Sequence, residues 1–423
     1  MIARIQPGTI AGGEISLPAS KSLSHRAILA ASLSNGVSVL HHPGTNKDIL
    51  ATRSAMEHFG VRFEERGEDL YVYGVERLQY DGEAIDCNES GSTLRFLIPI
   101  AALQDKTVIF TGRGRLMERP QTVYKQLFHE RGMRFEKAGN LLYVGGGLQG
   151  GEFKARGDIS SQFFTGLLYA LPLTERDSTL TILPPFESES YVNLTMDVLH
   201  RAGIRIHRQG LVYSIQGGQH YEPIDYAVSG DDSQMAFFAS LACIAGVPIT
   251  VHHADHASHQ GDHVILDIIR NFGGVVEEVE DGYRFMGDRL HGIHVDLADC
   301  PDLGPVLFAL ATQVEGETVF THCERLRIKE SDRIACMEEE LHKLGCDIHS
   351  DGGTVIVKGK TDIRGGVKLD GHNDHRIVMA LSVLCAVCEK PVEICGAEAI
   401  EKSYPAFFED LKQCGVQVDY VEG

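Results

Sequence analysis

Nothing in these 423 residues approaches about 20 consecutive apolar positions, so a membrane-spanning helix is not expected. The opening MIARIQPGTIAGG lacks a basic stretch followed by an apolar run, so no secretory signal is expected there either. The dense cysteine spacing of a disulfide scaffold is also missing. The 10 cysteines are scattered, which points to a reducing, cytoplasmic compartment. Positive charge is scarce: 39 Lys and Arg face 59 Asp and Glu, for a net charge of -20. A chain this acidic lacks the broad basic face that nucleic-acid binding requires. It leaves room for a small anionic ligand, because a local basic cleft focuses an anion against an acidic background. The apolar fraction of 43% and charged fraction of 23% are those of a soluble globular protein, long enough for two lobes.

The pattern that dominates the chain is repetition. GEISLPASKSLSHRAILAASLSNGVSVLHH and EAIDCNESGSTLRFLIPIAALQDKTVIFTG both run strand, polar punctuation, Ala/Leu-rich helix and β-branched strand. Four further segments do the same, with punctuation near positions 21, 90, 160, 231, 302 and 374, roughly 70 residues apart. Between them lie a helix-period stretch, a Gly stop and an alternating hairpin, as in VYKQLFHERGMRFEKAGNLLYVGG. Each unit therefore reads βαβαββ, an α/β class. The sixth unit, ending FFEDLKQCGVQVDYVEG, stops one strand short, and MIARIQPG at the other end resembles the missing strand. Equal division of six repeats predicts a continuous lobe at residues 20–231. The other lobe is discontinuous, residues 1–19 plus 232–423, and contains both termini.

The starts of the six equivalent helices read SKS, ESGSTLR, SSQ, DDSQ, PD and NDHR. Unpaired N–H groups and the positive dipole end make such a locus attractive to phosphates and carboxylates. Ser and Asp there have an ordinary role as N-caps worth about 1 kcal/mol each. Capping does not account for Lys21, Arg26, Arg95 and Arg376, since cations near a helix start oppose the dipole. A bound polyanion would offset that cost. More basic residues recur at repeat junctions: Arg113, Arg115 and Arg119 in TGRGRLMERP, Arg325, Arg327, Lys329 and Arg333 in RLRIKESDR, and Lys402 in EKSYP.

Taken together and in order, SKSLSHR, SGSTLR, ERP, SSQF, KESDR and NDHR resemble the 5-enolpyruvylshikimate-3-phosphate synthase family, over essentially the whole chain. The resemblance implies a two-lobed inside-out α/β barrel with three βαβαββ repeats per lobe and the active site in the cleft between them. It implies that Lys21, Ser22 and Arg26 bind shikimate 3-phosphate, together with Ser160, Ser161, Gln162, Ser188, Tyr191, Asp302 and Lys329. Phosphoenolpyruvate is expected on Lys21, Gly91, Arg119, Gln162, Arg333, His375, Arg376 and Lys402. The implied reaction adds the 5-hydroxyl to C2 of phosphoenolpyruvate while C3 takes a proton. The tetrahedral intermediate then loses that proton and phosphate. Such chemistry asks for two carboxylates in different surroundings plus a lysine, and for arginines to hold phosphate and carboxylate. The residue types leave open which of Lys21, Asp302 and Glu330 moves which proton; Asp302 is assigned to the hydroxyl and Glu330 to C3. No metal or organic cofactor is required, the partners are the two small substrates, and the family is usually monomeric.

The chain departs from the family where Glu89 replaces a common Asn and Leu94-Arg95-Phe96 replaces a Met-Arg-Pro run. The fine shape of the phosphoenolpyruvate pocket, and the response to the inhibitor glyphosate, therefore do not carry over. His259, Gln260 and Gly261 keep part of a segment whose family role is mostly structural. The sister family, UDP-N-acetylglucosamine enolpyruvyl transferase, carries Cys or Asp ahead of its Arg-Pro, and GRGRLMERP has neither. HHADHASHQGDH, residues 252–263, offers a metal-binding alternative through five His and two Asp, set against a solvated repeat linker. Cys385 and Cys388 sit in an apolar run, where buried core thiols are expected rather than a reactive pair.

Overall fold

The computed structural model describes residues 1–421. Its chain divides into two compact units, one of Met1–Pro18 with the chain from Gly230 onward, the other of Ala19–Ser229. Each unit contains three four-stranded sheets among the described residues. In the second, third, fifth and sixth repeats the first strand, a helix and the second strand form a parallel βαβ element. In the first five repeats a second helix then leads to an antiparallel hairpin whose last strand lies beside the second strand. In the second repeat, for example, Ile85–Asp86 pairs parallel with Val108–Thr111, and Leu141–Gly145 joins Val108–Thr111 to Arg134–Ala138.

The helices between first and second strands are apolar nearly all round, and they are interior. The Asp232–Ala245 helix is buried at twelve positions, and the Gly91–Ala101 helix at all but Ser92. A helix without a polar face must be covered on every side. The sheets supply that cover, so each unit is a helix cluster wrapped by strands, with its own core. Close helix contact shapes the sequence at Gly166, where a Cβ would stand 2.4 Å from Tyr124 Oη and 2.6 Å from Arg95 O.

In four of the six repeats the backbone turns left-handed just past the second strand. His42, His253, His322 and Gly396 each come directly after such a strand, with φ of 52°, 64°, 56° and 69°. The left-handed conformation breaks the ladder and turns the chain toward the second helix.

Two strand pairings were not legible in the repeats. GEIS opens the first repeat in sequence, yet Gly13–Ser16 pairs parallel with Ile249–His252 of the fourth. Asp225–Ala227, which opens the fourth repeat, pairs parallel with Val37–His41 of the first. The two repeats exchange their leading strands, so the chain passes from one unit to the other at Pro18–Ala19 and again at Ser229–Gly230. The sixth sheet is completed by Ile2–Gln6, which lies antiparallel between Val392–Cys395 and Gln417–Val421.

Candidate active site

In the Ala19–Ser229 unit, Ser20 caps the Lys21–Ser32 helix, its Oγ accepting the Leu23 N–H at 3.4 Å. Lys21 and Ser22 thus occupy the first turn, where free amides attract anions and a cation opposes the dipole. Lys21 Nζ donates to Asp48 Oδ2 at 3.1 Å. Asp48 lies in the first turn of the Lys47–Glu57 helix, a position that favours a carboxylate. One turn on, Arg26 is only 2% exposed. It donates Nε to Thr195 Oγ1 at 2.9 Å, Nη1 to Ser22 O at 2.7 Å and Nη2 to Tyr191 O at 2.9 Å. Burial pulls its guanidinium down to about 10, so it is still a cation at neutral pH. Arg26 therefore ties the first helix to the Glu189–Arg201 helix and orients Ser22 and Tyr191. Ser188, fully buried with φ 55°, starts that second helix.

The second helix start is built as closely. Ser90 Oγ accepts the Thr93 N–H at 3.1 Å. Gly91 follows, where a Cβ would lie 2.7 Å from Arg119 Nη1, so the lack of a side chain makes room for that guanidinium at the helix start. Further along, Pro99 has no N–H to give to Arg95 O four residues back. Tyr124 Oη donates to that carbonyl instead, at 2.7 Å. The Arg95 side chain reaches Gln162 Oε1 at 2.8 Å, Pro120 O at 2.9 Å and Ser160 Oγ at 3.5 Å. Gln162 Nε2 in turn donates to Ser92 Oγ at 3.0 Å. Ser161 precedes the Gln162–Ala170 helix and is buried.

In the other unit, three cations converge on one carboxylate. Asp302 Oδ1 accepts from Lys329 Nζ at 3.2 Å and Arg333 Nη1 at 2.9 Å, and Oδ2 from Arg376 Nη2 at 3.3 Å. Arg333 is 1% exposed and also donates Nη2 to Glu330 Oε2 at 2.7 Å and Nε to Asp374 Oδ2 at 2.8 Å. Asp374 is wholly buried, accepts the Arg376 N–H at 2.9 Å and caps the His375–Cys385 helix. Burial alone would push its carboxyl up; the Arg333 guanidinium overrides this and holds it below the usual range. Lys329 is pulled down to about 8, by burial first, against the opposing attraction of Asp302. Lys402 Nζ donates to Asn373 O at 2.6 Å, and His375 Nδ1 lies 3.8 Å from Asp374 Oδ1.

The structure thus brings Asp302, Lys329, Glu330, Arg333 and Arg376 into one ion-pair network. Lys402 and His375 adjoin it through residues 373 and 374. Among the Ala19–Ser229 residues, Lys21 bonds to Asp48, Arg26 to Ser22 and Tyr191, and Ser160 and Gln162 share Arg95. Sequence reasoning did not assign site roles to Asp48, Arg95 or Asp374. Arg95 was visible as a cation near a helix start, and Asp374 lay inside NDHR, where it read as a cap.

The histidines of residues 252–263 diverge. His252 bonds to Asp281 and Glu14, His253 to Leu17 O, His256 to Gly282 O and His263 to Asp232. They fasten the loop to neighbouring strands and to the Asp232–Ala245 helix. Among the described residues, the group with ligand atoms close enough for a metal is Glu339, Glu340 and His372, and Lys343 already bonds to both glutamates. Cys385 and Cys388 are buried; the Cys388 contact and burial push the Cys385 thiol well above its ordinary value.

Comparison with known proteins identifies the family. The family model for EPSP synthase (3-phosphoshikimate 1-carboxyvinyltransferase) matches residues 5–411. The 3-phosphoshikimate 1-carboxyvinyltransferase of Clostridium novyi (strain NT) is 42% identical over 419 residues, covering 96% of each chain. That of Clostridium kluyveri is 40% identical over 410 residues, again covering 96% of each. The solved EPSP synthase of Acinetobacter baumannii superposes with a TM-score of 0.81 at 26% identity, covering 99% of both chains. Its match spans all six repeats, and the six-sheet α/β architecture is the one that family carries. The chain belongs to the EPSP synthase (3-phosphoshikimate 1-carboxyvinyltransferase) family.

Proposed function

We infer that this chain transfers the enolpyruvyl group of phosphoenolpyruvate to the 5-hydroxyl of shikimate 3-phosphate and releases phosphate. Family membership supports the reaction class, and the observation that carries the chemistry is the Asp302 carboxylate under three cationic donors. Asp302 accepts the attacking hydroxyl, whose oxygen adds to C2 as Glu330 serves the proton at C3. Loss of that proton and of phosphate from the tetrahedral intermediate completes the transfer. Arg333 and Arg376 supply rigid, charge-assisted donors for the phosphate and carboxylate of phosphoenolpyruvate, with Arg119, Gly91, His375 and Lys402 completing the cradle. Lys21, Ser22, Ser160, Ser161 and Gln162 hold shikimate 3-phosphate at helix starts whose amides already favour anions, with Lys21 and Gln162 also meeting phosphoenolpyruvate. Arg26 shapes this part by orienting Ser22 and Tyr191, and Ser188 by fixing the start of the helix that carries Tyr191. The reading includes a cytoplasmic monomer. All ten cysteines are free thiols, and among the described residues no helix is long and apolar enough to cross a membrane.

The test is a phosphate-release assay with phosphoenolpyruvate, run with shikimate 3-phosphate and, separately, with UDP-N-acetylglucosamine. Release is expected only with the former, and no release with it overturns the reading. A pH profile adds a second check. Because Lys329 loses its proton at about 8, kcat/KM is expected to decline above that pH, as the free enzyme gives up a donor to Asp302. Lys329→Arg keeps its charge and should move the decline to higher pH. A wild-type profile level to about pH 9.5 would remove Lys329 from that role.

A further inference from the structure

Glu340 is a fully buried carboxylate that the proposed mechanism does not use. It lies on the Arg333–Lys343 helix, two turns beyond Arg333 and on the same face. Its Oε2 accepts the Asp370 N–H at 3.0 Å, and its Oε1 accepts from His372 Nε2 and from Lys343 Nζ, both at 2.8 Å. The helix thus grips the turn at residues 370–374 twice, Arg333 at Asp374 and Glu340 at Asp370 and His372.

That turn is strained. His372 and Asn373 are consecutive non-glycine residues with φ of 49° and 51°, and such conformations cost of order 1 kcal/mol each and persist only where the surroundings impose them. Local bonds help, since Asp370 Oδ1 accepts the His372 N–H at 2.7 Å and Asp374 N–H reaches Gly371 O at 2.8 Å. Neither restrains the His372 side chain. The turn presents two groups to the candidate site, the Asn373 carbonyl that receives Lys402 and the Asp374 carboxylate that receives Arg333.

We propose that Glu340, acting through His372 and the Asp370 amide, is a positioning residue that fixes this turn and so sets Lys402 and Arg333 for phosphoenolpyruvate. The inference rests on the assigned reaction. The neighbouring Cys336 sulfur and the Glu340 carboxylate raise His372 to about 10, which keeps both ring nitrogens as donors across the working pH range.

The experiment compares His372→Leu, which cannot donate to Glu340, with His372→Gln, which can. KM for each substrate and kcat are read alongside amide hydrogen exchange across residues 370–374. His372→Leu is expected to raise KM for phosphoenolpyruvate about tenfold, to leave that for shikimate 3-phosphate within about twofold, and to speed exchange in the turn. His372→Gln should restore most of the phosphoenolpyruvate KM. An unchanged phosphoenolpyruvate KM in His372→Leu overturns the proposal, as does an equal rise in both constants, which marks a merely structural role. Absence of turnover in the wild type refutes the assigned reaction instead. Exchange in the turn still decides the strut, and unchanged exchange in His372→Leu overturns it.

Discussion

Lys21→Ala is expected to leave a folded protein whose turnover falls about 10²–10³-fold, the range seen when one preorganised donor to developing charge is lost. Lys21 is the first residue of its helix, where its charge opposes the helix dipole. Removing it relieves that repulsion by about 0.3–1 kcal/mol and gives up the 3.1 Å contact with Asp48, whose carboxylate keeps the favourable end of its own helix. The relieved repulsion offsets part of the lost contact, so the melting temperature should fall by only a few degrees. Phosphate release and thermal unfolding on the same preparation check both halves. Activity within tenfold of wild type would show that the cation is not at the reacting phosphates, and a collapse in stability would show that its role is structural.

Asp374→Ala should be the most destabilising single change in the candidate site. The side chain is wholly buried and accepts Arg333 through Nε and Nη2, the Ser331 hydroxyl and the Arg376 amide. Breaking a buried pair from one side typically costs about 3–5 kcal/mol, and loss of the N-cap adds about 1 kcal/mol. For a unit of this size the expected fall in melting temperature is about 10 °C or more. The pH dependence has a definite sign. The folded carboxyl lies below its ordinary value, so its contribution is complete above the unfolded pKa of about 3.9 and is lost as pH falls through the folded value. The deficit of the variant, measured by urea unfolding, should therefore shrink in strong acid. A loss below about 1 kcal/mol at neutral pH would mean that Asp302 and Glu330 suffice to hold Arg333.

The candidate site was legible where its chemistry is local. Lys21, Ser160 and Arg376 stand at or beside helix starts, and a cation or hydroxyl cluster in a first turn can be recognised from a few neighbouring residues. The motif implied that Arg26 binds an anion; in the structure its donors hold Ser22, Thr195 and Tyr191, the last two 169 and 165 residues away. That engagement could not be read from spacing, because nothing within SKSLSHR says which distant helix will cover it. Asp374 and Glu340 escaped notice for a related reason. One reads as a cap and the other as one more acid in MEEELHK, until tertiary packing buries both against partners about 30 to 41 residues away.

By itself the sequence determined the six-fold βαβαββ repeat and the Ala/Leu-rich helix of each unit, and it placed the candidate anion-binding residues at the helix starts. Each of these arises from periodicity or capping within about a dozen residues. Only the tertiary structure decided which sheet receives the leading strands of the first and fourth repeats. Gly13–Ser16 and Asp225–Ala227 each place one buried apolar residue, Ile15 or Tyr226, between exposed neighbours. Either would satisfy either sheet edge, since alternation specifies a face and not a partner. Long-range backbone bonds make the choice, from Leu17 N–H to His252 O in one unit and from Val228 N–H to His41 O in the other.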